Sequence, residues 1–229
     1  MKNKKSVTIT KNGPYLISGD IPLAKELSIA GKSGYPEKWK KGKKYSKQES
    51  YALCRCGGSC NKPFCDGSHI KNKFNGTETA SKKVQCEKLS GPELELTDAF
   101  ELCSAARFCH LANGTWNNVE KSNNKKSKEI AIQTACNCPS GRLVVFDKKT
   151  KKPFENKFEP SISLIEDTQA KVSGPIWVKG GIEIKSADGT IYETRNRVTL
   201  CRCGKSKNKP FCDGSHIEEK FNDEDESLK

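Results

Sequence analysis

The chain has 229 residues, of which 12 are Cys and 3 are His, with 34% hydrophobic residues and a formal net charge of +13. A mean hydropathy of −0.74 and apolar runs no longer than Leu143 to Phe146 exclude a membrane-spanning helix, which needs roughly 20 residues. So thin an apolar content also argues against one large core and for several small units held together by something else.

Met1-Lys-Asn-Lys-Lys begins with charge but leads into no apolar signal core. A cytoplasmic protein is expected, with its cysteines as metal or cluster ligands rather than disulfides. Of the 41 basic residues only Arg55, Arg107, Arg142, Arg195, Arg197 and Arg202 are Arg. Nucleic-acid readers favour Arg for bidentate contacts, so no nucleic-acid partner is expected. The lysine runs at 38–47, 121–128 and 148–152 read as solvated loops.

In chain order, Gly13-Pro-Tyr-Leu-Ile-Ser-Gly19 brackets a strand over Tyr15 to Ser18. Residues 51–74 then form a Cys-rich loop, with Pro63-Phe-Cys65 as an ordered turn and Asp66 as a helix cap. Between 86 and 146 the pattern changes. Thr97 or Asp98 reads as the cap of a short helix over Ala99 to Phe108. Ser122-Asn-Asn124 reads as a loop, Glu129 to Ala135 as a second helix and Leu143 to Phe146 as a strand. Further on, Ile176 to Lys179, Ile182 to Lys185, Ile191 to Thr194 and Val198 to Leu200 read as strands. The acidic tail Asp223-Glu-Asp-Glu226 is expected to fray.

An internal repeat organises these elements. Residues 198–221 repeat 51–74 at an offset of 147, with 18 of 24 positions identical. Upstream, Gly174-Pro-Ile-Trp-Val-Lys-Gly180 repeats the Gly13 block. The first copy carries 14 extra residues between its blocks, which places an insertion within Lys25 to Lys41. Three units follow: 1–85, 86–155 and 156–229.

Each copy offers C-x-C-x8-C-x3-H: Cys54, Cys56, Cys65 and His69, then Cys201, Cys203, Cys212 and His216. Three thiolates and an imidazole suit zinc or an iron–sulfur cluster. Zinc fingers space their first pair more widely, so the C-x-C spacing favours a 2Fe–2S cluster with two ligands on each iron.

The motif C-x-C-x2-S-x3-P-x-C-D-G-S-H, present twice without departure, resembles the CDGSH iron–sulfur domain, the family of mitoNEET. The resemblance implies a 2Fe–2S cluster on each three-Cys, one-His set. It implies a small, mostly β fold: a β-cap over a cluster loop and short helix. Family members commonly swap strands between protomers, so tandem copies imply a monomeric, intrachain pseudo-dimer. In this reading Pro63 and Pro210 stiffen the loop, and Asp66 and Asp213 cap the helix. Gly67 and Gly214 permit the tight turn, and Ser59 and Ser206 donate to cluster sulfides.

The middle unit resembles single-cluster ferredoxins, with Cys103-x5-Cys109 followed by Cys138-Pro139, and Ala106 where a fourth ligand often stands. Its Cys-Pro-Ser-Gly-Arg-Leu run is similar to the ending of the divergent monocluster ferredoxin domain, an α+β insert. Cys103, Cys109 and Cys138 imply a 3Fe–4S cluster. A 4Fe–4S cluster needs His110 or Cys136 as well. Cys60, Cys86 and Cys136 read as spare thiols, and Trp39, Trp116 and Trp177 as packing residues.

Every strong motif points to cluster binding, and neither a P-loop nor a dinucleotide fingerprint is present. A carrier of electrons or clusters is expected rather than an enzyme, with a redox protein or an apo iron–sulfur acceptor as partner. The alternatives are a cluster-dependent oxidoreductase and a basic zinc protein.

Overall fold

The structure, a computed structural model, describes residues 4–224 and 226–228. The first copy supplies β1 (Ser6–Ile9), β2 (Tyr15–Ser18), β3 (Leu23–Ala30), β4 (Pro36–Lys44), β5 (Ser50–Leu53) and helix α1 (Ser68–Lys71). The middle supplies β6 (Glu87–Ser90), β7 (Leu94–Asp98), α2 (Thr115–Glu120), α3 (Lys125–Cys136), β8 (Leu143–Asp147) and β9 (Pro153–Phe154). The second copy supplies β10 (Ser161–Asp167), β11 (Val172–Lys179), β12 (Glu183–Lys185), β13 (Arg197–Leu200) and α4 (Ser215–Glu218).

The two copies complete each other's sheets. β1, β2 and β5 form an antiparallel set, and β12 of the second copy joins it parallel to β1. In the mirror arrangement β10, β11 and β13 form the set, and β3 of the first copy joins it parallel to β10. The chain therefore performs an internal strand swap. The extra residues of the first copy lengthen β3 and add β4, which pairs antiparallel on the outer edge. Lysines along β4 keep that edge from pairing further.

Period-two patterning explains the strands. In β2, Tyr15 and Ile17 point inward while Leu16 is exposed. One apolar core then draws on both copies, with Val7, Ile9, Ile17 and Leu53 packed among Ile162, Leu164, Ile176 and Leu200. A second, smaller core lies in the middle, where Leu94, Leu96, Leu143 and Val145 meet Val119, Ala131 and Ala135 of the two helices. The architecture is thus α+β and mostly sheet: a pseudo-dimeric CDGSH-like pair with an α+β insert.

Arg197 ties the insert to the pair. Its buried guanidinium donates to the carbonyls of Ala135, Cys138 and Leu143 and pairs with Glu155. Trp39 packs between Phe108 and Trp177, with ring centroids 4.7 and 4.9 Å away. Trp116 packs on the smaller core.

Three expectations are corrected. No α-helix covers Ala99 to Phe108, only a 3-10 turn over Phe100–Leu102. Leu94 to Asp98 alternates with period two and pairs with β8, and Arg142 takes the Asp98 carboxylate through two bonds of 2.6 and 2.8 Å. Beyond it, left-handed Ala105 and Arg107 (φ 55° and 63°) bar helix. Ile191 to Thr194 is no strand, only a bridge from Ile191 to Lys185. Nor does the tail fray at Asp223, whose side chain is 1% exposed and pairs with Arg202 and Lys25; Asp225 lies outside the described residues. The loop at Ser122 to Asn124, helix α3 and strand β8 stand where expected, whereas β6, α2 and β9 carried no expectation. Asn124 caps α3, accepting the Ser127 amide at 3.1 Å, so the helix starts earlier than the residue pattern suggests.

Candidate iron–sulfur sites

Each C-x-C pair begins where an edge strand ends, after β5 or β13. Cys54 N donates to Pro63 O, and Cys201 N to Pro210 O, both at 2.8 Å. The loop is thereby folded back on its strand. In both copies the C-x-C sulfurs lie 3.7 Å apart. The third Cys sulfur lies 3.4 Å from His Nδ1, in Cys65–His69 and in Cys212–His216. The donors are thus arranged as two pairs per copy. Among the described residues, no three His, Cys, Asp or Glu side chains converge on one ion position. Paired donors fit a group with two metal positions, each taking two ligands.

Within a C-x-C pair the close sulfurs share a proton. A hydrogen bond from Cys56 lowers Cys54 to about 6 and Cys203 lowers Cys201 to about 7, while the partner thiol is pushed up in each case. One thiolate per pair is then ready near neutral pH, and metal binding must release the other proton. Burial pushes the Cys212 thiol well up and the His216 imidazole down to about 4.

The supporting residues divide. The Asp66 carboxylate accepts the amides of Ser68 and Cys60 at 2.9 and 2.7 Å, and Asp213 repeats this with Ser215 and Lys207. The aspartate thus serves the helix start from one position before the cap, which is left-handed Gly67 or Gly214 (φ 89° and 90°). The serines are corrected. Ser59 and Ser206 donate to the carbonyls of Phe64 and Phe211, each at 2.7 Å. Their protons hold the loop and are not free for a sulfide.

The sites abut. A Cβ on Gly57 would come within 2.5 Å of Cys203 O, and one on Gly204 within 2.5 Å of Cys56 O. Only glycine lets these C-x-C-G turns meet across the pseudo-twofold. The loop of the insert covers the second site. A Cβ on Gly214 would lie 3.0 Å from Ala105 Cβ, and Asn208 donates to Glu101 O at 2.7 Å. As a result Cys201, Cys203, Cys212 and His216 are all buried, whereas Cys56, Cys65 and His69 are partly exposed.

In the middle, Cys103, Cys109 and Cys138 line one small cavity with Ala106, Ser140 and Arg142. Burial pushes Cys109 up to about 12. Arg142, fixed by Asp98, supplies positive charge beside the three sulfurs. His110 and Cys136 are not among the lining residues. His110 packs on Tyr35 at 5.6 Å, and Cys136 donates to Phe154 O at 3.4 Å. Three thiols without either candidate fourth ligand fit a cluster held at three corners. Cys60 and Cys86 are exposed.

Four charged residues and one phenol near the sites escaped the sequence reading. Arg55 and Arg202 are the x of each C-x-C, visible in the repeat but carrying no ligand signal. Tyr15 and Glu166 lie 186 and 36 residues from the groups they bond, and Asp223, only a few residues past His216, reads as part of an acidic tail.

Neither a curated protein nor a solved structure matches the chain. The family model for the CDGSH-type iron-binding zinc finger matches residues 12–70 and 173–217. The model for the divergent 4Fe-4S mono-cluster matches residues 89–148. The chain is an iron–sulfur protein in which two regions of the CDGSH type flank one of the divergent 4Fe-4S mono-cluster type.

Proposed function

We propose that this chain is a carrier of electrons or clusters. One 2Fe–2S cluster is assigned to Cys54, Cys56, Cys65 and His69, and one to Cys201, Cys203, Cys212 and His216. A 3Fe–4S cluster is assigned to Cys103, Cys109 and Cys138. The observation that carries this reading is the paired donor geometry, repeated in both copies with the same 3.7 and 3.4 Å spacings. When bound, the clusters supply reversible one-electron chemistry. The chain's own part is to position thiolates, hold the imidazoles and set solvent access.

The internal strand swap supports a monomer, because each sheet receives its fourth strand from the same chain. The unit boundaries 1–85, 86–155 and 156–229 follow the same logic. Twelve free cysteines suit a reducing cytoplasm. Among the described residues no helix is long and apolar enough to cross a membrane. The partner is a redox protein or an apo iron–sulfur acceptor. A second reading, a cluster-dependent oxidoreductase, draws support from the middle cavity, where three thiols leave one corner without a protein ligand.

Mixing the loaded protein with an apo-ferredoxin and following the visible bands tests transfer. Movement of the bands to the acceptor supports cluster transfer. Reversible reduction without movement leaves electron carriage alone.

A further inference from the structure

The arginine inside each C-x-C pair meets a different environment in the two copies. Arg55 is 2% exposed and Arg202 is 4% exposed. Arg55 donates to the carbonyls of Gly76 and Thr10 at 2.6 and 3.3 Å and lies over the Tyr15 and Phe74 rings. Among the described residues no carboxylate pairs with it, and its Nε has no partner. Arg202 donates to the carbonyls of Gly174 and Ile165, and it pairs with both Glu166 and Asp223. Lys25 faces the same carboxylates at 3.4 Å. Among the described residues, two cations there meet two anions.

The difference is built into the repeat. Asp223 stands at the position of Gly76, by the offset of 147. At that place the first copy offers Arg55 a carbonyl and the second offers Arg202 a carboxylate. A side chain at 76 is barred, because its Cβ would meet Arg55 Nη1 at 2.7 Å and Phe74 at 2.8 Å.

A buried charge acts strongly on another charge added nearby. An electron arriving at the first site is attracted by an uncompensated guanidinium. At the second site the carboxylates cancel that attraction, and deeper burial further disfavours the more negative reduced form. The exposed differences oppose each other: Lys71 and Asn72 against Glu218 and Glu219 favour the first site, Lys205 and Lys207 against Gly58 and Cys60 the second. Solvent and salt screen those, not the buried set.

We infer that Arg55, set against the Arg202–Glu166–Asp223 cluster, orders the two centres, so that the first, more exposed site is reduced at the higher potential. This rests on the 2Fe–2S reading above. Arg55 and Glu166 are positioning residues: they touch no ligand atom and act through the field.

The test is an anaerobic redox titration of the loaded full chain followed by EPR, at low and high salt. The two 2Fe–2S centres of the wild type should reduce in two separate one-electron steps, apart from the signal of the middle cluster, with the separation retained at high salt. Arg55→Met should move the higher midpoint down, and Glu166→Gln should move the lower midpoint up. If Arg55→Met does not load, the wild-type separation and Glu166→Gln still decide. Coincident wild-type midpoints, a separation that vanishes in salt, or variants that move the opposite steps overturn the inference while leaving the cluster reading intact. Absence of any 2Fe–2S signal overturns the cluster reading itself.

Discussion

The two CDGSH copies share 18 of 24 residues across the ligand loop, and their sulfur and imidazole spacings agree to the tenth of an ångström. They differ in what surrounds them. The first loop meets solvent through Cys56, Cys65 and His69, while the insert and the C-terminal segment bury the second. Near-identical sequence therefore fixes the donor geometry, and the neighbours decide access and charge. The insert matters here for more than its own three thiols, because its loop at Ala105 closes the second site.

Acidification should break the symmetry most sharply. A ligating imidazole must be neutral. Burial holds His216 down to about 4, while His69 is open to water. As the pH falls, the more exposed first site should lose its cluster first, so the visible and EPR signals should fall to one 2Fe–2S centre per chain before the second is lost. Simultaneous loss of both would contradict the difference in access.

The C-terminal clasp comes next. Asp223→Asn removes one partner from a buried ion pair and should cost about 3 kcal/mol in urea unfolding at neutral pH. Burial raises the Asp223 carboxyl, but Arg202 outweighs it and holds the group at about 2. Its stabilisation is therefore present above the unfolded carboxylate value near 3.9. It is lost as pH falls toward 2, so the gap between variant and wild type should close there. A gap independent of pH would point to packing rather than charge.

The smallest effect is expected at Tyr15. Its hydroxyl, kept protonated because burial pushes the phenol up, donates to Cys201 O at 2.9 Å with Pro210 O at 3.2 Å. Ile176 takes its place in the other copy. Tyr15→Phe should cost about 1 kcal/mol and broaden the second centre's EPR signal more than the first's. Equal changes at both centres would argue against this one-way bracing.

Short runs of β-formers were legible: Tyr15 to Ser18 and Leu143 to Phe146 stand as strands where expected. The paired ligands were legible because the motif is local and written twice. Thr97 and Asp98 were misread as a helix cap because such side chains end strands as readily as they start helices, and pairing with β8 decides it. The serine role was misread because a hydroxyl beside a ligand can also hold its own loop, as Ser59 does through Phe64 O. Asp223 was missed because its partners, Arg202 and Lys25, are 21 and 198 residues away. Only the swapped strand β3 brings Lys25 there.

The most direct test of the account is the metal and sulfide content of anaerobically purified protein, read with EPR or Mössbauer spectra. Two 2Fe–2S centres and one 3Fe–4S centre predict about seven iron atoms and about eight acid-labile sulfides per chain, with both rhombic and cubane-type signals. A colourless protein holding zinc and no acid-labile sulfide would contradict it.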